Sequence, residues 1–428
     1  MTEPPPDRDT VRQHLVETWA PRSPVEIANR YSAPLFGSPG DWDLPADITP
    51  KRDLLYLAVG IPDPASLPRP ALAAAAAETL ARPGDVALRY GFGMGPAAIR
   101  DWLASRHTVE QAFAVTADWF QMTNGSSGAI DLIVRSLIDP GDVIIAETPT
   151  YMGTLHNFRG VLADVHFVPT DRDGMDAQAL AVLLDKLSAC GKRVKLIYVI
   201  SAFQNPTGAT LSPARRLHLL DLAARHQALL LDDEAYTDLW FDSPPPAAMS
   251  ALAEGWGVIT VGTFSKTVAT GLRIGWIHAE PGLLALFSRM RFGIGQNQLG
   301  LRIFEAFLTG GAFAPHPVKV RAVYAEKCRL LHEAFIDAGL DSYLEWSRPT
   351  GGFYLWAKLK AGITLDPLWR TATEEGIAIN RGSGFTAHVA TDAEHIRVAF
   401  PWPPASAFAE AARRLRIACD RVASAEAA

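Results

Sequence analysis

The 428 residues are 48% hydrophobic and 20% charged, which supplies apolar side chains for a sizeable core and excludes global disorder. A formal charge of −6 lacks the basic excess of a nucleic-acid binder, and no run of roughly 18 apolar residues offers a membrane span. Cys190, Cys328 and Cys419 form neither a C-x-x-C pair nor an even framework, and the first residues lack the basic and apolar regions of a signal peptide, so a reducing cytoplasm is expected.

Residues 1–52 read as a Pro-rich, charged arm with one helix near Asp9–Thr18. Tyr31, Phe36 and Trp42 make the arm too aromatic for a plain linker. From residue 53 short apolar runs alternate with amphipathic stretches. Leu54–Gly60 reads as extended, and Pro70–Arg82 and Pro96–Arg106 as helices. Phe120–Thr123 is strand-like, and Ser127–Ile138 helical. Val143–Glu147, Val165–Val168, Lys195–Ile200, Leu229–Asp232, Val258–Gly262 and Arg273–His278 are buried-strand candidates. Asp176–Leu187 and Pro213–His226 are amphipathic segments among them. This alternation predicts an α/β fold with a mostly parallel sheet covered on both faces. A long helix over Pro315–Ala338, strands at Gly352–Lys358 and His395–Phe400, a helix near Leu365–Glu375 and a final helix read as a smaller α+β domain.

The chemistry concentrates at the ends of the strand candidates. Thr263-Phe264-Ser265-Lys266 is followed by Gly271-Leu272-Arg273-Ile274-Gly275. An amine that condenses with a phosphorylated aldehyde needs this company, with hydroxyls and a guanidinium fork to hold the phosphate. Gly125-Ser126-Ser127-Gly128 opens a helix, where backbone N–H groups favour a phosphate; a local Ser-rich cap is the plainer reading. Tyr151, after Glu147-Thr148-Pro149-Thr150, has a face to stack on a pyridine ring or to pack in the core. Asn205-Pro206-Thr207-Gly208 is a good turn whose Asn amide can donate to a phenolate oxygen. Asp233, ending an apolar run, can pair with a protonated ring nitrogen; Asp232 and Glu234 compete for that role. Arg397, in His395-Ile396-Arg397-Val398-Ala399-Phe400, needs a partner if buried, either a bidentate carboxylate or an internal Asp or Glu. Tyr90 precedes Gly91-Phe92-Gly93-Met94-Gly95, which is no dinucleotide fingerprint because no strand precedes it and Pro96 follows. There is no H-E-x-x-H and no paired C-x-x-C for a metal, and no G-x-S-x-G elbow.

In this order and spacing, over residues 53–402, the motifs resemble the class I/II aminotransferases, fold type I enzymes that use pyridoxal 5′-phosphate. Phe203-Gln204-Asn205-Pro206-Thr207-Gly208 is similar to the aminoadipate and kynurenine aminotransferase branch. Ser201 departs from that branch's usual proline, and Thr263 replaces a frequent serine while keeping the hydroxyl. The resemblance implies a large domain with a mostly parallel seven-stranded sheet over residues 86–310 and a small α+β domain over 311–428, to which residues 53–85 contribute. It implies that Gly125, Ser126, Ser127, Thr263, Ser265 and Arg273 hold the phosphate, that Tyr151 stacks on the ring, and that Asp233 pairs with the ring nitrogen. Asn205 and Tyr236, within Asp233-Glu234-Ala235-Tyr236, would reach the phenolate oxygen. Lys266 would condense with the aldehyde and carry the proton. Arg397 would clamp the substrate carboxylate, with Gly60 and Asn205 beside it. Tyr90 would reach the phosphate of a neighbouring subunit, which implies a homodimer with shared sites.

The expected reaction is transamination between an α-amino acid and a 2-oxo acid. The same motifs also serve elimination, replacement, condensation or oxidation of an amino acid, S-adenosylmethionine and arginine among them. A regulator that joins such a body to a DNA-binding module is disfavoured by the non-basic arm. Side-chain specificity stays open: Arg289, Arg291 and Arg381 are candidates for a second carboxylate. Phe36, Trp42 and Tyr151 are candidates for an apolar lining, and Gly293-Ile294-Gly295-Gln296-Asn297 for substrate contact.

Overall fold

The computed structural model describes residues 7–22, 47–84, 86–91, 93–291, 295–386 and 394–426. Tyr31, Phe36, Trp42, Phe92, Gly293 and Ile294 lie outside the described residues.

In chain order the strands are β1 (Leu55–Tyr56), β2 (Phe120–Thr123), β3 (Val143–Thr148), β4 (Asp164–Asp171), β5 (Gly174–Met175), β6 (Val194–Val199), β7 (Leu229–Asp233), β8 (Val258–Thr263) and β9 (Gly275–His278). They are followed by β10 (Leu344–Trp346), β11 (Tyr354–Leu359), β12 (Ile377–Ala378), β13 (Asn380–Arg381) and β14 (His395–Ala399). The main sheet runs β2-β9-β8-β7-β6-β3-β4-β5. Pairs β3/β4, β3/β6, β6/β7 and β7/β8 are parallel, and β9 is antiparallel to both neighbours. The sheet thus has eight strands rather than the expected seven, because two residues of β5 fold back on β4.

The apolar runs that end in the site are buried on both faces, as parallel strands under two helical layers must be. The pleat divides them between two cores. Ile144, Leu196, Tyr198 and Leu231 join the core that also packs the C-terminal elements. Val143, Ile145, Ile197 and Leu230 join the core under the helices Ala177–Ala189 and Pro213–Arg225. Both of those helices start with a side-chain cap: Asp176 accepts from Gln178 and Ala179 N–H, and Ser212 from Arg215 N–H ahead of a first-turn proline.

A second, antiparallel sheet runs β10-β11-β14-β13. Leu54–Gly60 yields only the two residues of β1, parallel to β12. Beyond them the chain stays extended without a ladder: Leu57 N–H donates to Ala378 O, and Leu57 O accepts from Ala399 N–H. Those two bonds tie the segment to β12 and to β14 of the second sheet and carry Gly60 toward Lys266. Lys327 fastens it further along, donating to Asp63 Oδ1 at 2.9 Å and to the carbonyls of Pro401 and Pro403.

Candidate active site

The carboxyl ends of β2, β3, β6, β7 and β8 lie along one rim of the sheet, where an open α/β fold binds its ligands. A cavity of about 340 Å³ opens there, lined by Gly60, Ser126, Ser127, Tyr151, Asn205, Asp233, Tyr236, Thr263, Ser265, Lys266 and Arg273. Eleven residues singled out from sequence therefore meet in one place.

At one end, the helix Gly125–Leu137 begins directly after β2. Gly125 has φ +77°, and a Cβ there would lie 2.8 Å from Arg273 Nη2. Glycine thus lets the guanidinium rest against the turn, where Nη2 donates to Asn124 O at 3.3 Å. Arg273 does not belong to β9 as the apolar pattern suggested; its φ of 53° is left-handed and swings its side chain back to the turn. Thr263 Oγ1 lies 2.8 Å from Ser265 Oγ and accepts the Ser265 N–H. Hydroxyls, helix N–H groups and a guanidinium form an anion cradle.

At the other end, Asp233 closes β7. Its Oδ2 accepts from Tyr198 Oη at 3.0 Å, and Tyr198 in turn meets Thr154 Oγ1 at 3.1 Å. Its Oδ1 is buried with no hydrogen-bond partner. Burial pushes this carboxyl up to about 6, with the neighbouring Asp232 adding to the rise and the Tyr198 hydroxyl opposing it. Such a carboxylate calls for a cationic partner in the cavity.

Lys266 lines the same cavity. Its Nζ donates to Gly60 O at 2.8 Å and lies 5.7 Å from the Tyr236 ring centre. Burial lowers its proton affinity, and the charges of Arg397 and Arg273 act in the same sense. A lowered amine is more readily neutral and nucleophilic.

Arg397 is fully buried beside the cavity. It donates to Asn205 Oδ1 at 2.8 Å, Asn380 Oδ1 at 2.6 Å and Ala58 O at 2.8 Å, all neutral acceptors. Asn205 is held by its neighbour: Gln204 Nε2 donates to Pro149 O, and Gln204 Oε1 accepts from Thr207 N–H and Oγ1.

Tyr90 does not line this cavity; it is 88% exposed. Arg289, Arg291 and Arg381 are also not among its lining. Arg291 donates to Met122 O, and Arg381 pairs with Asp366. Within the described part of the 293–297 segment, Gln296 and Asn297 bind Met122 O and Asn124 Oδ1 under the Gly125 turn. Tyr198 and Tyr354 were missed by the sequence reading. Tyr198 sits mid-strand in an apolar run, and Tyr354 follows Phe353 in what reads as strand entry; no local signal marks either as a site residue.

The donor set fits pyridoxal phosphate: an anion cradle, an amine with depressed basicity, and a buried carboxylate oxygen with no bond of its own. Fold and site together are those of a fold type I pyridoxal phosphate enzyme. Residues 52–415 match the family model for aminotransferase class I and II, and the chain belongs to that family. It is 31% identical over 370 residues to aromatic-amino-acid aminotransferase 1 of Thermococcus litoralis, covering 85% of this chain and 87% of that one. It is 30% identical to 2-aminoadipate transaminase of Thermus thermophilus, covering 86% and 90%. The structure of the α-aminoadipate aminotransferase LysN from Thermus thermophilus, complexed with N-(5′-phosphopyridoxyl)-L-leucine, superposes with a TM-score of 0.79 at 29% identity, covering 87% of this chain and 92% of that one. The protein is a pyridoxal phosphate-dependent aminotransferase. Among the described residues no helix is long and apolar enough to cross a membrane.

Proposed function

We propose that Lys266, Asp233, Tyr236 and Arg397 divide the work of transaminating an α-amino acid against a 2-oxo acid. The supporting observation is that Lys266 and Asp233, whose Oδ1 is buried with no hydrogen-bond partner, line the same cavity as Ser126, Ser127, Thr263, Ser265 and Arg273. Bound pyridoxal phosphate supplies an aldehyde carbon that condenses with amines and a conjugated ring that withdraws electrons from the substrate Cα. Gly125, Ser126, Ser127, Thr263, Ser265 and Arg273 bind the phosphate, and Tyr151 covers one ring face. Asp233 holds a proton on the ring nitrogen, and Asn205 and Tyr236 donate to the phenolic oxygen. With the cofactor bound, Lys266 would be the residue that condenses with its aldehyde and the base that moves the proton of the substrate Cα. Arg397 grips the α-carboxylate, with Gly60 and Asn205 beside it.

The test is a half-reaction. The yellow holoenzyme is mixed with single amino acids and no oxo acid, starting with aromatic amino acids and 2-aminoadipate, after which the two relatives above are named. Conversion of the cofactor to its amine form, matched one to one by a 2-oxo acid, is expected. Repeated turnovers without an acceptor would instead show elimination, replacement or oxidation.

The same reading makes the enzyme a homodimer with shared sites. Tyr90 and Leu88 are 88% and 71% exposed, a few residues before Met94, whose carbonyl accepts from Met122 N–H in β2. Co-expressing Lys266→Ala with Tyr90→Asp should restore about a quarter of wild-type activity, since half the dimers would carry one intact site. No restoration, or full activity of Tyr90→Asp alone, contradicts it.

A further inference from the structure

Two phenols meet beside the cavity. Tyr236 follows β7 in the main sheet, and Tyr354 opens β11 in the second. Both are buried, at 4% and 3% exposure, and their hydroxyl oxygens are 2.9 Å apart. The rings meet edge to face at 76°. The Tyr354 ring lies 4.2 Å from the Arg397 guanidinium carbon. Its hydroxyl occupies the space a side chain at Gly60 would need, since a Cβ there would fall 1.9 Å from Tyr354 Oη. Gly60 O in turn holds Lys266 Nζ. Glycine at position 60 therefore makes room for a phenol within the reacting group of side chains.

We propose that Tyr354 is a positioning residue that donates its proton to Tyr236 and so aims the Tyr236 proton into the cavity. This rests on the reading of Tyr236 as donor to the cofactor's phenolic oxygen. Each hydroxyl has one proton to give and lone pairs to accept. If Tyr236 gave its proton to Tyr354, it would have none for the cavity. With Tyr354 as donor, Tyr236 is free to donate inward, and accepting one hydrogen bond strengthens the one it donates. With the cofactor bound, a stronger bond to its phenolic oxygen would draw electron density from the Lys266 nitrogen. That nitrogen then holds its proton less tightly. Tyr151 and Arg397 act on Tyr236, and Tyr354, Arg397, Asp233 and Arg273 act on Lys266 beside it. Replacing one phenol hydroxyl leaves the other groups in place.

The test uses the resting holoenzyme without substrate. Its visible absorption is titrated against pH for the wild type, Tyr354→Phe, Tyr354→Leu and Tyr236→Phe. Tyr354→Phe is expected to raise the midpoint by about 0.5 to 1 pH unit, the equivalent of one ordinary hydrogen bond. It should leave KM for the amino acid within about twofold, because the ring over Arg397 remains. Tyr354→Leu should raise the midpoint and KM together, since it also removes the ring. If Tyr236→Phe raises the midpoint and Tyr354→Phe does not, the relay is wrong while the role of Tyr236 stands. If Tyr236→Phe leaves the midpoint where it was, the role of Tyr236 fails and the relay fails with it.

Discussion

Lys266→Ala is expected to lower turnover by at least about 10⁴-fold, the full range of an acid–base group and more, because the covalent link to the cofactor goes as well. Three features converge on this amine. It is fixed by Gly60 O at 2.8 Å, so it points into the cavity. It is flanked by the rings of Tyr236 and Phe353 at 5.7 and 5.8 Å. Its proton affinity is lowered by burial, with Arg397 and Arg273 adding their repulsion against the pull of Tyr354 and Asp233. Alanine keeps the helix-poor loop after β8 but removes the only lysine lining the cavity among the described residues. The measurement is turnover together with borohydride reduction: the wild type should retain cofactor through denaturation and the variant should release it. Activity within tenfold of wild type would remove Lys266 from the reaction.

Asp233→Asn is expected to lower kcat/KM by about 10²- to 10³-fold, the scale of losing one partner of a buried charge pair, about 2–5 kcal/mol. The same change should stabilise the cofactor-free protein at pH 8. Burial raises the folded carboxyl from 3.8 to about 6. Between those values the folded chain binds a proton that the unfolded chain has released. Stability therefore falls as pH rises through that window, and the deficit is fully present above about 6. Asparagine has no proton to lose and escapes it. Without cofactor, Asp233→Asn should melt above the wild type at pH 8, and the gap should close as pH falls from 6 toward 4. With cofactor, the cationic ring nitrogen compensates the wild-type carboxylate, so the gap should shrink or reverse. A variant that keeps wild-type activity would return Asp232 and Glu234 to candidacy.

That competition among three adjacent carboxylates marks where sequence reasoning stops. The run Leu229–Asp233 announces a buried strand with acids at its end, but a period of two does not say which face holds the cavity. The fold decides it. Leu231 and Tyr198 lie on one face, and Asp233 follows on that face with Tyr198 bonded to it. Asp232 lies on the other, under the influence of Arg216. Arg397 is a similar case. Its burial was legible from the apolar strand around it, but its acceptors come from positions 58, 205 and 380, which only the folded chain assembles.

Local chemistry is written locally. Strand–helix alternation, the glycine at a helix start, the hydroxyls before Lys266 and the asparagine turn each depend on residues a few positions apart. The α/β alternation, the order of the motifs and eleven cavity-lining residues were therefore legible along the chain. The tertiary structure alone decided which carboxylate faces inward, that Tyr198 and Tyr354 belong to the site, and that the extended chain after β1 delivers Gly60 to Lys266. Tyr236 and Tyr354 are 118 residues apart, and Gly60 and Lys266 are 206 apart. Such pairs leave no periodicity or turn signal in the chain; they exist because the fold brings the start of β11 and the extended segment after β1 to the ends of the main strands.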